Sequence, residues 1–316
     1  MRDLGVRRLA LPQRWKAYAA LALAQVLVGS SVVAGKVMIA GFPVFLASAL
    51  RFVLASLLML PFLVWREGAL PRVARRDWLH LLLQALTGVF LFNVFLLYGL
   101  RWASAAASGI IISTAPALIG LLSFLFLGER LGRDQGWGIA LAVLGVLALN
   151  ITPQSDAGSR PLLGGLLVCG AAVGEALFTV FGKVLTRRLS ALAISAVLCV
   201  LGLVMFLPLA VPEALTFDFK SAPLSAWIAI AYYAVFITLL ATLLWFYGVA
   251  QVPASTAAAF LGLLPISAVL LAYLLLGEPF RWSDLAGGAC VVAAIWFTTR
   301  AKAVAAQTAA QGNPSS

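Results

Sequence analysis

The chain has 316 residues, of which 63% are hydrophobic and only 10% are charged, and its formal net charge is +11. Soluble domains are about 25% charged, so this composition, with a mean hydropathy of +1.05, excludes a soluble domain and indicates a membrane protein. The basic residues lie in short segments between apolar runs, which is typical of membrane proteins and argues against a nucleic-acid partner.

Ten apolar runs predict an all-α integral membrane protein, because a helix needs about 20 residues to cross the hydrocarbon core. The first run follows a basic segment, as a signal peptide would. However, it is long enough to span the bilayer and has a counterpart in the second half. The predicted spans are 17–39, 43–65, 78–98, 104–127, 136–152, 161–185, 190–211, 225–247, 254–276 and 284–299.

Lysine and arginine are unevenly distributed between the connecting segments. With the basic segment 1–16 in the cytoplasm, fifteen of the 22 basic residues fall in cytoplasmic segments, four in external segments and three within spans. Because cytoplasmic loops are enriched in basic residues, both termini are predicted to be cytoplasmic. Residues 153–160 then form an external linker, and the tail at 300–316 is predicted to be disordered and cytoplasmic.

The sequence contains an internal repeat. The stretch from Tyr98 to Leu149 recurs without a gap as the stretch from Tyr247 to Thr298. The landmark pairs, each 149 residues apart, are Tyr98 and Tyr247, Pro116 and Pro265, and Glu129 and Glu278. The pattern extends to two five-helix halves, 17–152 and 161–299. Because five is odd, the second half enters the membrane from the opposite side. This inverted-repeat architecture is typical of secondary transporters, and a duplicated scaffold without transport is the alternative.

Several stretches resemble the EamA-like branch of the drug/metabolite transporter superfamily. They are VGSSVVAGKVMI at 28–39, LASALRFVLASLLMLP at 46–61, TAPALIGLLSFLFLGERLGRDQGWGIALAVLGVLAL at 114–149, and its weaker copy at 263–297. The resemblance implies a bacterial inner-membrane permease, often an exporter of amino acids or related metabolites, that works by alternating access. It also implies a cavity lined by spans 1, 3, 4, 6, 8 and 9. Val28-Gly29 departs from the Trp-Gly of many members.

Glu175 is the most informative residue, because an ionisable group in the middle of a span marks a function by default. We expect it to hold the ammonium group of a substrate or to take up a proton, and structural pairing with a base is the alternative. Thr179 follows at i+4 on the same helical face. Gln25 is at similar depth in the first span, where Gly29 either admits substrate to the backbone or packs against another helix.

A second set of candidates lies on the third and eighth spans. Gln84, Thr87 and Tyr98 have spacings compatible with one face of the third span. Tyr233 belongs to an aromatic face of the eighth span, and Trp245 lies on an adjacent stripe. An aromatic surface with few polar groups suits an organic solute. The alternative is that these aromatic residues lie at the membrane interface.

Other residues are candidates for gates and hinges. Lys36 and Lys183 are related by the repeat, and they either snorkel to opposite interfaces or form gating ion pairs. Arg51 is deep within the second span, where we expect it to bond backbone carbonyls or a neighbouring helix. Pro116 and Pro265 interrupt the fourth and ninth spans and are predicted hinges. The predicted structural anchors that end these two spans are Glu129 and Glu278.

The sequence lacks the parts of an enzyme or an ATP-driven pump. It contains one histidine, no HExxH, no GxSxG, no phosphate-binding loop and no Cys/His cluster. The three cysteines lie within apolar runs as small hydrophobic residues. No cofactor or metal is therefore expected. The predicted partners are a small-molecule substrate, the bilayer and protons. The predicted function is export of an amino acid or derivative, with uptake of a vitamin-like or anionic solute and a non-transporting scaffold as alternatives.

Overall fold

The computed structural model describes residues 11–71, 73–127, 132–151, 160–185, 188–249, 251–252 and 260–311, and these residues form helices and connecting turns without a strand. We number one helix per predicted span. The first five are α1 (Leu11–Gly29 and Ser31–Gly41), α2 (Val44–Glu67), α3 (Trp78–Gln84, Ala85–Leu91 and Phe92–Gly99), α4 (Ala105–Ile112 and Ala115–Leu127) and α5 (Arg133–Ile151). The second five are α6 (Pro161–Leu185), α7 (Ala191–Thr216), α8 (Leu224–Tyr232, Tyr233–Ala241 and Thr242–Val249), α9 (Phe260–Gly262 and Leu263–Leu276) and α10 (Trp282–Gln311).

The predicted all-helical membrane fold is confirmed. Seven helices of the described part are long and apolar enough to cross a membrane, and shorter apolar helices occur at Phe260–Leu276 and Trp282–Thr298. Two helices end later than the sequence indicated. α7 continues to Thr216 through Pro208 and Pro212, and α10 continues to Gln311 through most of the segment for which composition predicts disorder. Alanine and glutamine are good helix formers, so this segment can extend α10.

The helix neighbours follow a pseudo-twofold relation between the two halves. α1 packs against α8 and α9, and its repeat counterpart α6 packs against α3 and α4. Three further contacts pair a helix with its own counterpart: α2 with α7, α4 with α9, and α5 with α10. Because each half contains five successive crossings, α6 begins at the face where α1 ends. This face is called here the Lys36 face, and the opposite one the Arg188 face.

α2 and α7 are joined at both ends. On the Lys36 face the Glu213 carboxylate accepts a hydrogen bond from the backbone N–H of Leu46 at 2.7 Å. On the Arg188 face the Ser190 hydroxyl donates to Glu67 at 2.6 Å. Nearby, Arg188 forms an ion pair with buried Asp77 at 2.6 Å. Polar bonds therefore hold the α2–α7 pair at the membrane surfaces, and apolar packing holds it between them.

Two helices contain π-helical segments at repeat-related positions. Ala85–Leu91 interrupts α3, and Tyr233–Ala241 interrupts α8. Each i→i+5 turn accommodates an extra residue compared with an α-helical turn, and such segments occur frequently at functional sites. In α8 the Thr238 hydroxyl donates to the carbonyl of Tyr233, five residues earlier, at 3.2 Å. The two π-helical segments face the middle of the bundle, where the candidate site lies.

Candidate functional site

A cavity of about 260 Å³ lies between α2, α3, α6, α7 and α8, and we call it the central cavity. Most of its lining residues come from the middle turns of these helices, and Ser195 comes from the second turn of α7. Its polar and charged lining residues are Arg51, Asn93, Glu175, Ser195, Tyr233, Thr238 and Thr242. Its main apolar lining residues are Phe52, Val89, Phe92, Phe178, Leu198 and Ile237. A mainly apolar pocket with a few oriented polar groups suits a small organic solute.

Glu175 lines the central cavity, at the position that the sequence singled out. Its side chain is half-buried, and it makes no hydrogen bond or ion pair with any described residue. The structural alternative, a Glu175 neutralised by a base on a neighbouring helix, is therefore absent from the described part of the chain. The carboxylate is available to a cation or a proton.

Arg51 also lines the central cavity, where it contacts the neighbouring helix α8 through Tyr233. The guanidinium carbon lies 4.3 Å from the ring centroid of Phe52 and 4.2 Å from that of Tyr233. The side chain is 2% exposed, and its Nε and Nη1 atoms have no hydrogen-bond partner among the described residues. The expected bonds to backbone carbonyls are not made by these two atoms, because the two rings hold the guanidinium at the cavity wall.

Three residues predicted to contact the substrate donate hydrogen bonds to backbone carbonyls of the protein. The Thr179 side chain is exposed, and its hydroxyl donates to the carbonyl of Glu175 at 3.0 Å. The Thr87 hydroxyl donates to the carbonyl of Leu83 at 2.8 Å. Hydroxyl groups in helices commonly bond the carbonyl four residues earlier in this way. The Gln84 amide donates to the carbonyl of Phe178 at 3.3 Å, so it links α3 to α6.

The central cavity is lined by α2 and α7 where the resemblance implied spans 1, 4 and 9, while residues of α1 and the end of α9 line a second cavity of about 330 Å³ at the Lys36 face. The reason is close packing of α1, α4 and α9. A Cβ atom at Gly29 would lie 2.8 Å from the carbonyl oxygen of Leu264, so Gly29 serves the contact between α1 and α9. Gln25 is buried and its Oε1 lacks a hydrogen-bond partner in the described part of the protein, but it does not line the central cavity.

Of the predicted aromatic residues, Tyr233 lines the central cavity and Tyr98 and Trp245 do not. Tyr98 packs edge-on against Phe45, with 6.0 Å between the ring centroids. The predicted faces of the third and eighth spans assume an uninterrupted α-helical period along α3 and α8. The π-helical segments add residues to their turns, so residues on opposite sides of each segment no longer share one face.

Several residues that line the central cavity were not predicted from the sequence. Asn93, Ser195, Thr238 and Thr242 are polar residues within apolar spans, and this polarity was a signal that could have identified them. Thr238 and Thr242 lie on or next to the π-helical segment of α8, so their direction could not be derived from an α-helical period. Ser195 belongs to α7, a helix for which no role at the site was expected.

An ion pair joins three helices at the Lys36 face. Lys36 Nζ lies 2.7 Å from Glu278 Oε1. The Glu278 carboxylate also accepts the backbone N–H groups of Ala105 at 2.7 Å and Ala106 at 3.1 Å, at the start of α4. Lys36 is thus held in an ion pair and does not simply extend to the interface. The repeat counterparts, the Lys183 side chain and Glu129, lie outside the described residues.

Both candidate hinge prolines occupy the first turn of a helical segment. Pro116 follows a break in α4 at Ser113 and Thr114, and Pro265 follows the short 3₁₀ turn at the start of α9. Proline is tolerated at such positions because no intrahelical bond from its nitrogen is required there. The hydroxyls of Ser113 and Thr114 bond the carbonyls of Gly109 and Ile111. The predicted interruption of α4 is present, and hinge motion stays a prediction.

Comparison with known proteins identifies the family. The model of the EamA-like transporter family matches residues 15–151 and 162–300, one segment in each half. "Uncharacterized transporter YetK" of Bacillus subtilis (strain 168) is 44% identical over 284 residues, which cover 89% of this chain and 86% of that protein. "Probable terminal-alkyne amino-acid exporter" of Streptantibioticus cattleyicolor is 28% identical over 229 residues. This alignment covers 72% of this chain and 75% of that protein.

A solved crystal structure shares the fold of this chain. Its TM-score is 0.63 at 19% identity, and the alignment covers 92% of this chain and 98% of the other. At this identity the likeness concerns the fold alone. The two family matches and the extensive identity with a transporter cover nearly the whole chain. This multi-pass membrane protein therefore belongs to the EamA-like transporter family.

Proposed function

We propose that this chain exports an amino acid or amino-acid derivative across the bacterial inner membrane by alternating access, with both termini in the cytoplasm. The observation that carries the proposal is the position of Glu175 in the central cavity without a bonding partner among the described residues. A carboxylate at membrane mid-depth is costly, and such residues mark substrate sites or proton relays. Glu175 has the chemistry to bind an ammonium group and, between transport steps, a proton.

The size and polarity of the central cavity support a small organic cargo. Its volume of about 260 Å³ is below the range typical of drug-sized ligand pockets. The phenyl rings of Phe52 and Phe178 offer apolar contacts, while Ser195 and Thr238 offer hydroxyl groups. A solute with a charged head group and a modest apolar side chain matches this lining.

The inverted halves and the polar contacts at the surface support alternating access. In transporters built this way, one repeat rocks against the other around a fixed site near the midplane. The Lys36–Glu278 ion pair joins α1, α4 and α9 at one face, which suits a gate that must close and open. The helix interruptions before Pro116 and Pro265 suit hinges. Outward direction is supported by the relative named as a probable amino-acid exporter.

An alternative cargo is an anionic or vitamin-like solute that is taken up. The position of Arg51 on the cavity wall favours an anionic group on the cargo. A non-transporting scaffold is the less favoured alternative, because it would not require two charged side chains at a mid-membrane cavity.

Counterflow in proteoliposomes tests the proposal. Vesicles preloaded with unlabelled amino acids would receive a ¹⁴C-labelled amino-acid mixture, with wild type beside Glu175→Gln, at several external pH values. We expect exchange by the wild type that depends on pH, and a loss of about tenfold or more in Glu175→Gln because a charged hydrogen bond is removed. Inverted membrane vesicles energised by a proton gradient would then accumulate the labelled amino acids if export is the direction.

The matched control is Glu67→Gln, which changes the same residue type at the end of α2, outside the central cavity. It should exchange amino acids as the wild type does. Wild-type vesicles without any amino-acid exchange would contradict the cargo. Exchange and pH dependence that both survive in Glu175→Gln would contradict the role of this carboxylate.

A further inference from the structure

The surroundings of Arg51 point to a second binding group in the central cavity. The rings of Phe52 and Tyr233 lie 4.3 Å and 4.2 Å from its guanidinium carbon. Stacking on aromatic rings occupies the flat faces of a guanidinium group, whereas its N–H donors lie in the plane of the group. Aromatic packing therefore cannot satisfy these donors. Two of the three nitrogen atoms, Nε and Nη1, have no hydrogen-bond partner in the described part of the protein.

The charge of Arg51 has no fixed counter-ion among the described residues. No carboxylate of these residues lies within 4.0 Å of its nitrogen atoms. The side chain is only 2% exposed, and a buried charge is strongly unfavourable unless it is paired and hydrogen-bonded. An anionic group in the central cavity would supply the counter-charge. Arginine is well suited to this because its fork of donors matches a carboxylate.

Glu175 lines the same cavity with the opposite charge. The two side chains do not form an ion pair with each other, since no oxygen of Glu175 lies within 4.0 Å of a nitrogen of Arg51. The central cavity is thus lined by one cationic side chain, Arg51, and one anionic side chain, Glu175, that are not paired with each other. The complementary solute carries an anion and a cation a short distance from each other.

We propose that Arg51 binds the carboxylate of a zwitterionic α-amino acid whose ammonium group is bound by Glu175. This inference rests on the proposed function and names the groups of the cargo that the site recognises. Phe52 and Tyr233 hold the guanidinium in place. The apolar side chain of the cargo lies against residues such as Phe178 and Leu198. Esters and N-acyl derivatives, which lack one of the two charges, are poor substrates.

Competition in the counterflow assay tests which charged groups of the cargo the protein recognises. The labelled amino-acid mixture is challenged with unlabelled amino acids, their methyl esters or their N-acetyl derivatives. We expect the esters and the N-acetyl compounds each to compete about tenfold or more weakly than the parent amino acids in the wild type, because each lacks a charged hydrogen-bond partner. Wild-type vesicles inhibited equally by amino acids and by their methyl esters would overturn the role of Arg51.

Substitution of Arg51 adds a test that separates binding from packing. Arg51→Gln should raise the KM for amino acids about tenfold or more and remove the preference for free acids over methyl esters. Arg51→Lys keeps the charge and should keep part of that preference. Arg101→Gln is the control, because Arg101 also lies over a tyrosine ring, that of Tyr98 at 4.9 Å, but outside the central cavity.

The outcomes distinguish this inference from the proposed function. Absence of amino-acid exchange in the wild type contradicts the proposed function. The inference alone is overturned by a different result. In that case the wild type exchanges amino acids, and Arg51→Gln elutes as a single species, keeps the wild-type KM and still prefers free acids. If Arg51→Gln does not fold, the methyl-ester competition in the wild type decides.

Discussion

Lys36 Nζ and Glu278 Oε1 are 2.7 Å apart, and the same carboxylate accepts two backbone N–H groups at the start of α4. One acidic side chain, 7% exposed, thus joins α1, α4 and α9 at the Lys36 face. The two partners are not equivalent, because the Lys36 side chain is 28% exposed and can be solvated when its partner is removed. Glu278 also has more bonds to lose.

Glu278→Gln should therefore destabilise the protein more than Lys36→Gln. We expect a loss of about 1.5–3 kcal/mol for Glu278→Gln, since it weakens hydrogen bonds to a charged group, and up to about 1 kcal/mol for Lys36→Gln, in the range of exposed ion pairs. Thermal unfolding of the purified variants in detergent, followed as the shift in Tm, measures the difference. Equal shifts for the two variants would show that the backbone bonds to Glu278 contribute little.

Gly29→Ala should be destabilising because the new Cβ atom would lie 2.8 Å from the carbonyl oxygen of Leu264, a backbone atom that can move only with α9. Overpacking of this kind costs about 1–3 kcal/mol. Gly120→Ala is the matched control, because a Cβ at Gly120 would meet no atom of the described structure within 4 Å. The two variants are compared by Tm and by amino-acid counterflow. Similar behaviour of both would mean that α1 and α9 separate easily.

Cys199 offers a direct probe of the central cavity, which it lines with an exposed fraction of 4%. In a Cys169→Ser, Cys290→Ser background, we expect a small cationic methanethiosulfonate reagent to modify Cys199 slowly and an amino-acid mixture to slow it further by about tenfold at saturating concentration. Intact-mass spectrometry follows the modification. A protein with only Cys290, which does not line the cavity, should show no protection. Unprotected Cys199 in an actively exchanging protein would place the cargo elsewhere.

The fold was largely predictable because its main signals are local or repeated. Twenty-residue apolar runs predict helices directly, and the recurrence of landmarks such as Pro116 and Pro265 predicts two related halves, which agrees with the equivalent neighbours of α1 and α6. The end of α10 was harder to predict, since an alanine- and glutamine-rich segment has the composition of a flexible tail and the propensity of a helix.

The candidate site was only partly predictable. Glu175 could be identified because its charge is exceptional for its depth, independently of which way the helix faces. Gln84 and Tyr98 were assigned to the site by helical period, which the π-helical segment of α3 interrupts. Thr179 was assigned by its spacing from Glu175, but its hydroxyl bonds its own helix. For Arg51 the sequence predicted a bond to backbone carbonyls or to a neighbouring helix, but not the two rings that its guanidinium lies over, because such contacts depend on the packing of α2 against α8.

The π-helical segments of α3 and α8 extend the repeat from sequence to helix geometry. With the 149-residue offset of the repeat, Ala85–Leu91 maps onto residues 234–240, which lie within Tyr233–Ala241. The α-helical register is therefore interrupted at the same place in both halves. Residues of both segments line the central cavity, so each half contributes one wide turn to it.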